Sequence, residues 1–286
     1  MNRFDESGHS GVKGGPAGSL VVSLMSGKGG VGKSVIAFNL AERAASAGCR
    51  TLLVDADIAC GNLAILANVD PADGLERFVT ERCGLADAVV PFNENLSVLA
   101  QSASGRVELL SAVSQVAQFA ANLRRQSESY DLVLIDHSSG VSTTAAVLAG
   151  ASDLNLLVLV PELTSISDCY GLYKYLHQSN ASIDCRLLLN RTESKSEVEY
   201  VWSRFAAMVE QFLGEAPQLA GVLSEDKVFR QAVAGQKPIS AVAPESPVLQ
   251  TLDNLVRSLI PTVVGAAAAS QSTEINNLTA YADIRE

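Results

Sequence analysis

The stretch GKGGVGKS at residues 27–34 fits the pattern G-x-x-x-x-G-K-[ST] in full, and it decides the fold. The apolar run Leu20–Met25 precedes it, and the Ala-rich amphipathic stretch Lys33–Ala47 follows and ends at Gly48. These flanks predict a strand before the loop and a helix after it. In that context the glycines let the backbone surround a phosphate, whose charge is stabilised by N–H groups and by the helix N-terminus. The sequence therefore predicts a phosphate-binding loop.

Strands alternate with helices along the rest of the chain. The apolar runs predict six further strands, at Thr51–Asp55, Leu96–Leu99, Leu132–Asp136, Leu154–Val160, Cys185–Asn190 and Leu219–Leu223. Helices are predicted at about 106–128, 165–177, 198–213 and 248–260. This alternation predicts an α/β, three-layer P-loop NTPase fold, with a mostly parallel twisted sheet flanked by helices on both faces. Because no linker interrupts it, we expect one domain over residues 19–262. Flexible segments are expected at 1–18 and, with an acidic composition, at 263–286.

The composition and the apolar segments indicate which partners and which cell compartment to expect. The chain carries 21 basic and 31 acidic residues, a net charge of −10, and no basic cluster, so we expect no binding to nucleic acid. Its five cysteines are scattered and predict reduced thiols. Neither a signal peptide nor a long apolar window occurs in the sequence, which predicts a cytoplasmic protein.

Charged and hydroxyl side chains stand where a nucleotide with Mg²⁺ would need them. Lys33 can reach the β- and γ-phosphates of ATP, and the hydroxyl of Ser34 is the expected Mg²⁺ ligand. Asp55 and Asp136 each end an apolar strand, and ligands bind at the carboxyl ends of the strands in such sheets. Either carboxylate alone could instead be a strand-end cap, but two of them beside the loop favour a role in binding.

The loop with its additional lysine, K-G-G-V-G-K-S, resembles the deviant Walker A motif of the MinD/ParA superfamily of ATPases. The resemblance implies that Lys28 reaches across a dimer interface to the nucleotide of the partner subunit. Asp55-Ala56-Asp57-Ile58, followed by Asn62, is similar to the D-x-D switch segment of that superfamily. It implies that Asp57 helps to orient the attacking water and that Asp55 lies near Mg²⁺.

The same resemblance extends to the later strand ends. It implies that Asp136 is the Walker B carboxylate, that the Gly140 amide senses the γ-phosphate, and that Asn190 and Arg191 lie at the adenine. The resulting set of nucleotide-binding residues is Gly27, Lys28, Gly29, Gly30, Val31, Gly32, Lys33, Ser34, Val35, Gly140, Asn190 and Arg191. The expected catalytic residues are Lys28, Lys33 and Asp57, and the expected Mg²⁺ ligands are Ser34, Asp55 and Asp136.

Two positions depart from the superfamily pattern. Val35 stands where a second threonine is usual, so a hydroxyl that commonly binds the α-phosphate is absent and we expect weaker affinity. His137-Ser138-Ser139 follows Asp136 where smaller or proline-containing variants are usual, which leaves the turnover open. For His137 we expect a role in packing or in the switch rather than one as a catalytic base.

The downstream half is similar to one branch of the superfamily, FlhG (also called YlxH), which regulates the number and placement of flagella. The similar stretches are Pro161–Tyr170 and Gly221–Val228. The resemblance implies a slow, partner-stimulated ATPase that dimerises with ATP, with a flagellar SRP-type GTPase or switch component as its protein partner. Residues 265–286 hold one arginine and three acidic residues, so the basic membrane anchor of the branch is not recognisable. Membrane binding is therefore not expected from this segment, and peripheral attachment at the inner membrane or a cell pole stays open.

Three other classes of protein share features with this sequence. A ParA-type ATPase that segregates DNA or cargo would use the same loop, but the net charge argues against it. A relative of the nitrogenase iron protein needs bridging cysteines, and none follows Asp136 before Cys169. A nucleotide-binding scaffold with little hydrolysis stays open because of the unusual residues 137–139.

Overall fold

Eight strands form one sheet in a computed structural model that describes residues 18–57, 61–102, 110–214 and 216–259. The strands are β1 Leu20–Met25, β2 Thr51–Ala56, β3 Val90–Pro91, β4 Leu96–Leu99, β5 Leu132–His137, β6 Leu154–Leu159, β7 Cys185–Thr192 and β8 Leu219–Ser224. Their order is β3-β4-β2-β5-β1-β6-β7-β8. All neighbouring pairs are parallel except β3 with β4.

Helices cover both faces of this sheet. They are α1 Lys33–Ser46, α2 Leu63–Leu66, α3 Gly74–Val79, α4 Leu85–Ala88, α5 Val113–Gln126, α6 Thr143–Gly150, α7 Leu163–Ser179, α8 Lys195–Leu213, α9 Lys227–Gly235, α10 Ile239–Val242 and α11 Pro247–Leu259. The first, second and last three pack on one face, and α3 to α8 pack on the other. The predicted three-layer α/β fold is confirmed. Within the described ranges, no helix is both long and apolar enough to cross a bilayer.

Side chains alternate between the two faces along each strand. On β5, Leu132 and Leu134 face the layer that contains α1, whereas Val133 and Ile135 face the layer that contains α5. Both sets are buried, which explains why the strand is apolar throughout. The same alternation sends the last two residues of β5, Asp136 and His137, to opposite faces of the sheet.

The predicted strands occur with ends shifted by no more than two residues, but one helix was predicted wrongly at its start. That helix was expected from about residue 106, whereas α5 begins at Val113. Leu110 has a φ of 64°, a left-handed conformation that cannot continue into a right-handed helix. Residues 103–109 lie outside the described residues, and so do most of the segments predicted to be flexible, 1–17 and 260–286. Those predictions stay predictions.

Candidate nucleotide-binding site

The loop at residues 26–32 leaves the middle of the sheet at the end of β1 and enters α1. Gly32 stands directly before α1 with a φ of 92°, which glycine adopts at little cost. Gly27 lies so close to α7 that a Cβ atom there would overlap the backbone of Asp168. Both glycines are therefore required by the local structure, one for its conformation and one for its small size.

A cavity of about 700 Å³ opens beside this loop. Its volume lies in the range of about 300–1,000 Å³ that is usual for small-molecule sites. One wall is the loop with the start of α1, and the other consists of the ends of β7 and β8 together with α9. The predicted residues that line it are Gly29, Gly30, Val31, Gly32, Lys33, Ser34, Val35, Asp57, Asn190 and Arg191.

Lys33 and Asp136 form a buried ion pair at the base of the loop. The Nζ of Lys33 donates to Oδ1 of Asp136, and the two side chains are only 5% and 1% exposed. The neighbouring Ser34 hydroxyl also favours the charged form of this carboxylate and lowers its pKa. Burial raises the pKa of Asp136, although the neighbouring lysine opposes the shift. The second carboxylate oxygen, Oδ2, is buried and has no hydrogen-bond partner, so it can accept one more donor or a cation-bound water.

Asp55 stands next to Asp136, because β2 and β5 pair in parallel with these two residues in register. Its carboxylate accepts the N–H groups of Asp57 and Leu63, each at 3.1 Å. Burial and the neighbouring Asp136 raise the pKa of Asp55 to about 7.

Within the described ranges, no group of three or more His, Cys, Asp or Glu residues is placed to hold a metal by itself. Mg²⁺ commonly uses one or two carboxylates together with waters and phosphate oxygens, so these carboxylates and Ser34 fit it.

The raised pKa of Asp55 predicts a dependence of stability on pH. Between pH 4 and about pH 7 the folded chain keeps a proton on Asp55 that the unfolded chain releases. The free energy of unfolding therefore falls as the pH rises through this window, by about 1.4 kcal/mol for each unit of the pKa shift. Replacing Asp55 with asparagine is expected to flatten this dependence and to stabilise the nucleotide-free protein at pH 8. Urea denaturation at pH 5 and pH 8 without Mg²⁺ measures the free energy of unfolding of both proteins. If the variant kept the wild-type pH dependence, the raised pKa of Asp55 would not be its source.

Lys28 points away from the cavity of its own subunit. Its Nζ donates to Oε2 of Glu162 at 2.5 Å and to Oγ1 of Thr164 at 3.0 Å, at the start of α7. This ion pair lowers the pKa of Glu162. The pair is on the surface, with the two side chains 36% and 56% exposed. The two lysines of one loop thus lie on opposite sides of it, Lys33 inside the fold and Lys28 outside.

The segment after β5 is held against the start of the loop. The N–H of Gly140 donates to the carbonyl oxygen of Ser26 at 2.8 Å, and the hydroxyls of Ser139 and Ser26 are 3.2 Å apart. Ser139 lines the cavity, whereas the Gly140 amide, the predicted γ-phosphate sensor, is engaged with the protein itself. The Gly140 N–H can therefore donate to a phosphate only after the segment that follows β5 moves away from Ser26.

His137 is buried on the face of the sheet opposite to the cavity. Its Nε2 is hydrogen-bonded to the Ser23 hydroxyl at 2.8 Å, and the residue is 2% exposed. Burial lowers its pKa to about 3, so the ring is neutral at ordinary pH. This placement agrees with the expected packing role, because the ring has no access to a water in the cavity.

The ends of β7 and β8 form the outer wall. The Asn190 amide donates to the carbonyl oxygen of Val31 at 2.7 Å, and its buried Oδ1 has no partner. Arg191 has a φ of 59°, and its Nε lies 3.8 Å from the Glu225 carboxylate. The prediction did not include the residues that β8 and α9 contribute, which are Glu225, Asp226, Phe229, Arg230, Val233 and Ala234. The rule that ligands bind at strand ends could have indicated Glu225 and Asp226, which directly follow β8.

P-loop nucleotide-binding proteins have a glycine-rich loop whose backbone surrounds phosphate, with the loop lysine buried behind it. The loop and the fold of this chain show the same arrangement, so it is a protein of this class. The family model AAA_31, described as an AAA domain, matches residues 19–188. The chain belongs to this family, within the MinD/ParA superfamily of ATPases, and is similar to FlhG-like members of that superfamily.

Two relatives and one solved structure illustrate the likeness. The chain is 29% identical over 228 residues to antiactivator FleN of Pseudomonas aeruginosa, covering 79% of this chain and 81% of FleN. It is 23% identical over 241 residues to the flagellum site-determining protein YlxH of Helicobacter pylori, covering 84% and 81%. The fold matches the septum site-determining protein MinD complexed with Mg-ADP from Pyrococcus horikoshii. That match has a TM-score of 0.71 and 23% identity, over 87% of this chain and 98% of MinD.

Proposed function

We propose that this chain is an ATP-driven switch that binds Mg²⁺ and ATP, dimerises with ATP, hydrolyses it slowly and regulates the placement or number of a cellular machine. The observation that carries the proposal is the opposite placement of the two loop lysines, one paired with Asp136 inside the fold and one on the surface with Glu162. The name of YlxH, a flagellum site-determining protein, makes the flagellum the first machine to test. A flagellar SRP-type GTPase or switch component is the corresponding partner, met in the cytoplasm or at a cell pole.

Within one subunit the chain binds and orients the triphosphate. The loop backbone surrounds the phosphates, and Lys33 turns from Asp136 to the β- and γ-phosphates while the carboxylate stays within reach. Ser34, Asp55 and Asp136 would hold Mg²⁺, which neutralises charge on the phosphate oxygens when bound. Asp57 lies at the cavity and orients the attacking water.

Between two subunits Lys28 completes the site of the partner. An exposed ion pair such as Lys28 with Glu162 is weakened by the surrounding water and contributes little to stability, so Lys28 is easily exchanged to another partner. A triphosphate offers several negative oxygens to the same ammonium group and competes favourably with one exposed carboxylate. A second copy of the chain, carrying ATP in its own cavity, therefore provides the alternative partner for Lys28.

Two measurements test the proposal. Light scattering measures dimerisation with and without ATP, and a phosphate assay measures ATP hydrolysis. The wild-type protein should become a dimer with ATP and Mg²⁺, whereas Lys28→Ala should stay a monomer although it still binds ATP. The matched control is Glu162→Gln, which keeps Lys28 and its bond to Thr164 but removes the negative charge of Glu162, and this variant should dimerise at least as readily as wild type. A Lys28→Ala protein that dimerises normally would contradict the cross-subunit role. Cells without the protein should differ in flagellar number or position, and unchanged flagella would contradict that assignment.

A further inference from the structure

A chain of buried and half-buried polar groups connects His137 to two neighbouring elements. Its Nε2 is hydrogen-bonded to the Ser23 hydroxyl on β1 at 2.8 Å. That hydroxyl lies 2.7 Å from the hydroxyl of Ser152, which donates to the carbonyl oxygen of Leu148 in α6 at 3.0 Å. The end of β5 is thereby fixed to the strand that carries the phosphate-binding loop and to the carboxyl end of α6.

The next fixed point along the chain is Ser142. Its hydroxyl accepts the N–H of Ala145 at 3.1 Å and caps the start of α6. Only residues 138–141 lie between the two fixed points, and they include Gly140, whose amide is engaged with Ser26. Motion of the Gly140 amide toward a phosphate is therefore confined to a short segment with anchored ends.

His137 and Asp136 are joined by one peptide unit and point to opposite faces of the sheet. The anchored ring on one face therefore limits how far the carboxylate on the other face can move. That carboxylate contacts Lys33 and Ser34, the residues that meet the phosphates and Mg²⁺ in the proposed function. An anchor is most needed here, because the adjoining segment has to leave Ser26 while Asp136 keeps its position.

We infer that His137 is a positioning residue for ATP hydrolysis. It holds the end of β5 in place while residues 138–141 move from Ser26 to the γ-phosphate. The inference rests on the proposed ATPase function and adds a residue to it. It also explains a histidine at a position that faces away from the cavity and cannot transfer a proton there.

The experiment compares wild type, His137→Leu and His137→Gln in two measurements, phosphate release at saturating ATP and equilibrium binding of a fluorescent ATP analogue. His137→Leu keeps the bulk of the side chain without its hydrogen bond and should lower kcat by about 10- to 100-fold, the usual effect of a small misplacement of reacting groups. Its dissociation constant for the analogue should stay near the wild-type value. Glutamine can keep a hydrogen bond to Ser23, so His137→Gln should recover most of the activity.

Two serine variants separate positioning from general stability. Ser23→Ala removes the hydroxyl that bonds His137 and should reproduce the loss of kcat. The double variant Ser23→Ala with His137→Leu should lose little more than either single variant. Ser19→Ala is the matched control: Ser19 is buried next to the opposite end of β1, and its hydroxyl lies 3.0 Å from that of Ser127. It should leave kcat unchanged.

An unchanged kcat in both His137→Leu and Ser23→Ala would overturn this inference but not the proposed function. A loss of kcat in Ser19→Ala as large as that in Ser23→Ala would have the same consequence. Thermal unfolding followed by circular dichroism checks each variant, and Ser23→Ala decides the question if His137→Leu does not fold. A wild-type protein that binds the analogue and releases no phosphate would overturn the proposed function, and the inference with it.

Discussion

ATP binding is expected to be lost when Lys33 is replaced by alanine. Lys33 lines the cavity, and in the proposed function it contacts two phosphates. Since a hydrogen bond to a charged group contributes about 1.5–3 kcal/mol, the dissociation constant should rise by at least about 100-fold. Isothermal titration with Mg²⁺ and ATP measures this change. A folded Lys33→Ala protein that retains ATP tightly would refute the assignment of the loop.

The same substitution also affects the fold, and this effect has to be separated from the loss of binding. It leaves the carboxylate of Asp136 buried without its cation, and breaking such a pair costs about 3–5 kcal/mol. The matched control is the double variant Lys33→Ala with Asp136→Asn, which removes both charges. Chemical denaturation should show that the double variant recovers stability, while titration should show that it still fails to bind ATP.

The second large effect is expected for Asp57→Ala, which should bind ATP but hydrolyse it about 100- to 1,000-fold more slowly, in line with the loss of a positioned catalytic group. Asp57 lines the cavity, and its N–H donates to Asp55. Removing a carboxylate near the phosphates lowers the local negative charge, so affinity for ATP should be kept or improved. The variant should accumulate as the ATP-bound dimer.

Phosphate release and light scattering on the same samples test this expectation. Asp87→Ala, which removes an exposed carboxylate of α4, is the matched control and should behave as wild type. If Asp57→Ala turns over at the wild-type rate, Asp57 loses its proposed role. If it binds ATP poorly instead, the residue contributes to binding rather than to the hydrolysis step.

The strands and the loop could be predicted because their signals are local. Buried parallel strands are apolar on both faces, as in Leu132–Ile135, and the loop pattern needs only consecutive residues. The raised pKa of Asp55 could be anticipated in direction, since two strand-end carboxylates were expected to be neighbours. The opposite directions of Asp136 and His137 also follow from the alternation along a strand.

Other features depend on contacts between distant parts of the chain. The helices α2, α4 and α10 have only four residues each, too few for a helical period to be recognised. The pairing of Lys28 with Glu162 joins residues that are 134 positions apart. The hydrogen bond from Gly140 to Ser26 likewise depends on the pairing of β5 with β1. The wall contributed by α9 was missed for the same reason.

The two-residue strand β3 has a consequence for association between chains. It pairs antiparallel with β4 and stands at one end of the sheet, and Pro91 within it has no N–H to donate. A second chain can hydrogen-bond to an exposed edge strand and extend the sheet. Short edge strands that contain proline disfavour such pairing. Ordered aggregation by extension of the sheet is therefore disfavoured at this edge, even where the protein becomes locally concentrated.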